Sequence, residues 1–99
     1  MTRLLFVCVH NAGRSQMAEA FFNRLAKERG LDAVAESAGT APAARVNPIA
    51  AQAMAEVGVS LEEHRPRQLT PALAAGADRI ITLGCGVADS CPAGTYVTE

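Results

Sequence analysis

The sequence has few aromatic residues and almost no net charge. Among its 99 residues there are three Phe, one Tyr and no Trp, too few for the aromatic surfaces on which nucleic-acid bases stack. Nine basic residues are balanced by ten acidic ones, which gives a net charge of −1. This balance provides no general attraction to nucleic acid or to an anionic membrane. We therefore expect neither of them as a partner.

A long hydrophobic run is also lacking. The longest one covers residues 4–9, which is too short to span a bilayer and slightly short for the core of a signal peptide. No small-residue cleavage site follows it. Because 49% of the residues are apolar, the composition predicts a packed globule, and the length favours a single domain over residues 1–99. We expect a soluble protein of the cytoplasm.

Cysteine is scarce, and the number of cysteines is informative. The chain contains Cys8, Cys85 and Cys91, and an odd number of thiols cannot pair completely into disulfides. In a reducing cytosol, thiols are more often catalytic, redox-active or metal-binding than structural. The cysteines are therefore the first functional candidates.

The apolar pattern predicts strands that alternate with helices. In the first helix, Met17, Phe21 and Leu25 recur at helical spacing. The predicted strands cover residues 4–9, 32–37, 77–83 and 95–98, and the predicted helices run from Gly13 to Gly30, from Asn47 to Gly58 and from Thr70 to Gly76. This alternation predicts an α/β fold, an open parallel sheet of about four strands with flanking helices. Ligands of such sheets bind at the carboxyl ends of the strands.

The segment between the first strand and the first helix predicts an oxyanion-binding loop. It consists of Cys8, Val9, His10, Asn11, Ala12, Gly13, Arg14 and Ser15. A chain that turns there from strand to helix directs successive backbone N–H groups into one concavity, which attracts a tetrahedral oxyanion. Arg14 adds a planar, bidentate donor, and Gly13 permits a close backbone approach or a positive φ angle.

The same loop predicts a nucleophile. A helix N-terminus and the Arg14 guanidinium favour the thiolate form of Cys8, and the Ser15 hydroxyl can donate a hydrogen bond to it. The alternative interpretation is a buried strand cysteine, a loop glycine and a surface arginine without a shared role.

Three segments resemble one known family. Residues 4–20 closely resemble the N-terminus of arsenate reductases that have the low-molecular-weight protein tyrosine phosphatase fold, and residues 36–40 and 64–70 continue the resemblance. It implies a flavodoxin-like, phosphatase I-like sheet. It also implies a supporting network in which Asn11 shapes the loop together with Ser37 and His64. Without the resemblance, a solvated His64 and an ordinary turn serine at Ser37 are as good an interpretation as membership of a network. We interpret His10 as a structural or exposed residue of the loop.

Cys85 and Cys91 distinguish a reductase from a phosphatase. A phosphatase needs one thiolate and an acid, whereas a reductase passes two electrons to its substrate by forming a disulfide. The resemblance to thioredoxin-linked arsenate reductases implies that Cys8 attacks arsenate and that Cys85 and Cys91 then act as a disulfide relay. The alternatives are two incidental cysteines or a zinc pair. Five residues separate these cysteines, more than the usual two to four of zinc sites, and we expect no metal.

The resemblance leaves the electron donor open. It implies no bound cofactor but an external thiol reductant, which is thioredoxin or, in a related branch, a small thiol such as mycothiol. Members of the family also continue into a loop with an Asp-Pro pair, whose aspartate is the general acid, and into a final helix. Because the sequence contains neither, we expect a domain that is incomplete at its C-terminus and lacks the last helix.

The favoured prediction is reduction of arsenate to arsenite, with arsenate or a phosphate-like oxyanion and thioredoxin as partners. One alternative is a low-molecular-weight phosphatase that hydrolyses phosphate monoesters through a phosphocysteine intermediate. Another alternative, outside the enzymes, is an oxyanion-binding or thiol-sensing domain.

Overall fold

Strands and helices alternate along the chain. The computed structural model describes residues 1–83 and the backbone of residues 96–98. The elements are β1 (Thr2–Cys8), α1 (Arg14–Arg29), β2 (Ala33–Gly39), α2 (Pro48–Glu56), α3 (Pro71–Ala75), β3 (Arg79–Thr82) and β4 (Tyr96–Thr98). Among these helices, none combines the length and the apolar character needed to cross a membrane.

The described strands form one parallel sheet in the order β2-β1-β3-β4. In its register Cys8 lies opposite Gly39 and Val7 lies opposite Thr82. The carboxyl ends of the three longest strands therefore meet at one edge, with β1 in the middle. The α/β prediction is confirmed, and the cysteine that ends β1 lies at the edge where ligands of such sheets bind.

Local sequence signals determine where the helices begin and end. The Asn47 side chain accepts a hydrogen bond from the Ile49 N–H at 2.8 Å, and the Thr70 hydroxyl accepts one from Leu73 at 3.2 Å. A side-chain cap of this kind contributes about 1 kcal/mol to helix stability. Gly30 ends α1 with a φ of 64°, a conformation that glycine adopts without steric cost. These boundaries agree with the predicted ones.

Two apolar clusters hold the layers together. The first lies between the sheet and α3 and contains Leu5, Val7, Ala38, Leu69, Ala74 and Ile80. The second lies between α1 and α2 and contains Ala20, Met54, Val59 and Leu61. On the side of the sheet that α1 covers, the rings of Phe6 and Phe22 meet edge to face at 6.4 Å, a favoured aromatic geometry.

The inward side of α1 differs from the apolar stripe in its sequence. Phe21 and Leu25 are 42% and 44% exposed. The buried positions of the helix are Ser15, Gln16, Ala20 and Ala26. Alanine lets the helix approach its neighbours closely, and the two polar residues are buried because the loop before the helix supplies hydrogen-bond partners, as described below. Helical spacing located the helix correctly but did not identify its inward side.

Gly39 lets the end of β2 pack directly on the loop that follows β1. A Cβ atom built on Gly39 would lie 2.6 Å from the Val9 carbonyl oxygen and 3.0 Å from the Asn11 backbone nitrogen. The Gly39 N–H also donates to the Arg67 carbonyl at 2.8 Å, and its carbonyl accepts from the Leu69 N–H at 2.8 Å. Gly39 is therefore held between two segments that cannot move apart without breaking these hydrogen bonds.

We expect Gly39→Ala to lower the free energy of unfolding by about 1–3 kcal/mol, the usual cost of overpacking a tight site. Urea denaturation measures the change. Gly76→Ala is the matched control, because a Cβ there would lie 3.4 Å from the nearest heavy atom, an ordinary contact. Equal stability of the two variants would contradict the close approach at Gly39.

Candidate functional site

Cys8 lies at the bottom of a cleft at the carboxyl edge of the sheet. Its side chain is a free thiol and is buried. The cleft has a volume of about 670 Å³ and is lined by Cys8, Val9, His10, Ala12, Gly13, Arg14, Met17, Asn47, Ile49, Ala50 and Ala53. It therefore lies between the loop that follows β1 and the N-terminal part of α2.

Two hydrogen-bonding groups contact the Cys8 sulfur. The Asn11 backbone N–H lies 3.2 Å from Sγ, and the Ser15 hydroxyl oxygen lies 2.8 Å from it. Because the Asn11 side-chain amide donates to the Ser15 oxygen at 2.7 Å, the hydroxyl hydrogen of Ser15 is free to point at the sulfur. Hydrogen bonds to a charged acceptor are stronger than those to a neutral one, so this geometry suits a thiolate.

Asn11 is the fully buried centre of the loop, and its backbone has a φ of 50°. All its polar atoms are bonded. Its backbone N–H and its side-chain amide donate to Cys8 and Ser15, as described above. Its carbonyl accepts from Gln16 Nε2 at 3.0 Å. Its Oδ1 accepts from Gln16 Nε2 at 3.1 Å and from the Arg67 N–H at 2.8 Å. Asparagine tolerates the left-handed conformation better than most residues. These five hydrogen bonds hold it there.

The carbonyl groups of the loop are all anchored by hydrogen bonds to the protein. Those of Cys8, Val9, His10, Ala12 and Gly13 accept backbone N–H groups of Thr40, Ala41, Ala43, Asn47 and Met17, at 2.8–3.2 Å. The carbonyl of Asn11 accepts from the Gln16 side chain. In a trans peptide the N–H points opposite to the C=O. The N–H groups of these peptides consequently point away from their anchors, and that of Asn11 points at the Cys8 sulfur.

The positive φ predicted as one role of Gly13 is wrong, because its φ is −135°. The other role, a close approach of its backbone to a bound anion, stays a prediction. The left-handed residue of the loop is Asn11, which hydrogen bonds can hold in that conformation, and the close approach of one backbone segment to another is that of Gly39. Both features depend on segments that are distant in sequence from the loop.

Arg14 and His10 have exposed side chains at the border of the cleft. Arg14 is the first residue of α1, and Asn47 precedes α2 on the other side of the same cleft. Two helix N-termini thus border the cleft, and each adds a partial positive charge. The guanidinium of Arg14 adds a full one, so the cleft favours an anion.

Ser37 and His64 belong to one network with Asn11, but their contacts to it are indirect. His64 Nδ1 lies 2.8 Å from Gln16 Oε1, and Gln16 in turn bonds to Asn11. The Ser37 hydroxyl donates to Glu19 Oε1 at 2.6 Å, and Glu19 Oε2 lies 3.6 Å from His64 Nδ1. The structure therefore brings the three predicted residues together through two others, Gln16 and Glu19.

The sequence contains a signal that would have identified part of this network. Ser15, Glu19 and Asn23 recur every four residues along α1, so they lie on one side of the helix. Ser15 bonds to Cys8, Glu19 to Ser37, and Asn23 to the backbone of Ala35. A polar stripe at helical spacing usually faces solvent. Here Ser15 and Glu19 face the network, whereas Asn23, farther along the helix, faces β2 and lies outside it. Each buried side-chain nitrogen and oxygen within residues 1–83 has a hydrogen-bond partner.

Cys85 and Cys91 lie outside the described residues. Their predicted roles therefore stay predictions, whereas Cys8, Arg14 and Ser15 all belong to the loop that borders the cleft.

Known proteins are similar to this chain in sequence and in fold. A protein of Halobacterium salinarum, provisionally named as an arsenate reductase, is 40% identical over 86 residues, which is 85% of this chain and 61% of that protein. The thioredoxin-dependent arsenate reductase of Corynebacterium glutamicum has a similar structure, with a TM-score of 0.85 and 36% identity. That match covers 100% of this chain and 49% of the other. The chain thus spans half to three fifths of the length of these relatives.

A phosphatase is structurally as similar. The low molecular weight protein tyrosine phosphatase of T. tengcongensis matches with a TM-score of 0.88 and 29% identity, over 99% of this chain and 73% of that one. The family model described as low molecular weight phosphotyrosine protein phosphatase matches residues 3–98. The chain therefore belongs to the low molecular weight phosphotyrosine protein phosphatase family.

Proposed function

We propose that this chain reduces arsenate to arsenite by a thiol mechanism that begins at Cys8. The observation that carries the proposal is the convergence of the Asn11 N–H and the Ser15 hydroxyl on the Cys8 sulfur, at a cleft that the loop and two helix N-termini border. A thiol held in this way can act as a nucleophile on an anion bound directly above it. The similarity to two proteins with arsenate reductase names supports this choice of substrate.

The oxyanion is bound by the loop itself. Arsenate is tetrahedral and negatively charged, and its oxygens accept hydrogen bonds from the N–H groups of the loop and from the Arg14 guanidinium. These donors also stabilise the charge that develops on the oxygens during attack.

In the first step the Cys8 thiolate attacks the arsenic atom. One arsenate oxygen takes up protons and leaves as water, and a bond between sulfur and arsenic forms while arsenic is still pentavalent. The Ser15 hydroxyl and the Asn11 N–H stabilise the thiolate before this step.

The next two steps use the other cysteines. The Cys85 thiolate attacks Cys8 Sγ, and the sulfur–arsenic bond breaks with its electron pair left on arsenic. Arsenic leaves as trivalent arsenite, and Cys8 and Cys85 form a disulfide. The Cys91 thiolate then attacks Cys85, which releases the Cys8 thiolate and leaves a disulfide between Cys85 and Cys91.

An external thiol reductant reduces that last disulfide. We propose thioredoxin, because the similar protein of C. glutamicum is named as thioredoxin-dependent; a small thiol such as mycothiol is the alternative donor. Such a relay is compatible with a reducing compartment, which agrees with the expected cytoplasmic location.

Phosphate monoester hydrolysis is the alternative function, because the loop would bind phosphate equally well and a phosphatase is among the similar structures. The described lining of the cleft includes the aliphatic residues Met17, Ile49, Ala50 and Ala53. Phe, Tyr and Trp side chains, which would stack on the ring of a phenyl phosphate, are not among the described lining residues.

We expect arsenate-dependent NADPH consumption when the chain is assayed with thioredoxin and thioredoxin reductase. Cys8→Ser abolishes it, because the nucleophile is gone, and Cys85→Ser abolishes arsenite release. Cys91→Ser permits one turnover but stops before the second. The assay is a steady-state trace followed by a quench that quantifies arsenite per enzyme molecule.

Two results would count against this scheme. If Cys91→Ser turned over like the parent, the relay of three thiols would be wrong. If the parent consumed no NADPH with arsenate but hydrolysed p-nitrophenyl phosphate, with a rate retained in Cys85→Ser and lost in Cys8→Ser, the phosphatase would be the correct function.

Ser15→Ala should lower the rate of arsenate reduction by about tenfold or more, because the sulfur loses a hydrogen bond that is stronger to a thiolate than to a neutral thiol. Ser60→Ala is the matched control. Its hydroxyl accepts from the Glu62 N–H at 3.2 Å on an exposed turn, away from the cleft. Rates within twofold of each other for the two variants would contradict the role of Ser15.

A further inference from the structure

One carbonyl of the oxyanion loop is anchored differently from its neighbours. Five of the six carbonyls from Cys8 to Gly13 accept backbone N–H groups, which the fold supplies whatever the side chains are. The sixth, that of Asn11, accepts from the side-chain nitrogen of Gln16 at 3.0 Å. The orientation of this one peptide therefore depends on the identity of a single side chain.

The amide of Gln16 is fixed on both sides. The side chain is 1% exposed, and its nitrogen lies close to three acceptor oxygens, those of the Asn11 carbonyl, Asn11 Oδ1 and the Arg65 carbonyl, at 3.0–3.1 Å. A flipped amide would place an oxygen against all three. Because its Oε1 accepts only, His64 Nδ1 at 2.8 Å must be the donor. Gln16 thus has one possible orientation.

Fixing the Asn11 carbonyl also fixes the N–H of Ala12. The two groups belong to the same trans peptide and point in opposite directions. The carbonyl points at Gln16 in the interior, and Ala12 lines the cleft. The Ala12 N–H therefore points to the side where an oxyanion would lie.

We propose that Gln16 is a positioning residue for oxyanion binding, which holds the Asn11 carbonyl inward and thereby directs the Ala12 N–H into the cleft. Without this anchor the buried carbonyl loses its hydrogen bond, and the peptide can regain one by turning the carbonyl toward water in the cleft. The anion would then lose a donor and face a carbonyl dipole of the wrong sign. The inference rests on the anion site of the proposed function but requires no catalytic turnover.

The test is a titration of the ¹⁵N-labelled chain with inorganic phosphate, followed by amide NMR. In the parent we expect the Ala12 amide to shift on binding, together with other amides of the loop. In Gln16→Met, which keeps the length of the side chain but has no amide, we expect the Ala12 shift to be lost. The dissociation constant should rise by about tenfold or more, while the Gly13 and Arg14 amides still respond.

The matched control is Asn23→Leu. Asn23 is another amide on α1 that bonds to backbone atoms, at 2.8 and 3.0 Å to Ala35, and it lies far from the loop along the helix. This variant should lose thermal stability without a change in the phosphate dissociation constant or in the Ala12 shift.

The inference is overturned if the Ala12 amide of the parent does not respond to phosphate, or if Gln16→Met binds phosphate like Asn23→Leu. Gln16→Glu is the second variant, in case Gln16→Met does not fold. It keeps the shape but places a carboxylate oxygen against the Asn11 carbonyl, and it should give the same loss. If the parent binds phosphate but does not reduce arsenate, the proposed function is wrong. The role of Gln16 is then still decided by the amide shifts and the phosphate dissociation constants.

Discussion

The left-handed backbone of Asn11 is the constraint on which the rest of the site depends. A non-glycine residue held with φ at 50° costs roughly 1 kcal/mol or more, and it persists only where the surroundings over-determine it. Five hydrogen bonds do so, and they lead from Asn11 to the Cys8 sulfur, to α1 and to the segment before α3. Each contributes about 1 kcal/mol net, so together they outweigh the conformational cost. The same bonds orient the donors at the Cys8 sulfur.

Much of the fold could be predicted from the sequence because its signals are local. Asn47-Pro48, Thr70-Pro71 and Gly30 act within one helical turn, and the short apolar runs identify strands that are buried in a parallel sheet. The position of Cys8 at the edge of the sheet follows from the order of these elements. The inward side of α1 did not follow, because Ser15 and Gln16 are buried by contacts that form only when the loop is in place.

The site could be predicted only in part, because some of its contacts join segments that are distant in sequence. A cysteine and an arginine separated by five residues between a strand and a helix indicate an oxyanion loop, and the structure places both at one cleft. Which residue takes the left-handed conformation depends on partners such as Arg67, 56 residues away. Glu19 belongs to a polar stripe at helical spacing, whereas Gln16 is an ordinary helix-forming residue in the sequence and is recognised as a network member only from its contacts to His64 and Asn11. Cys85 and Cys91 remain predictions from the sequence.

The bonds that close the loop also determine when the surroundings of the Cys8 sulfur become fixed. They come from residues 40–47 and from Arg67, which lies 56 residues from Asn11. Contacts between residues so far apart in sequence form more slowly than a local helix. The left-handed Asn11, whose N–H donates to the sulfur, is therefore held in place only after α1 can form, so the site is completed late in folding.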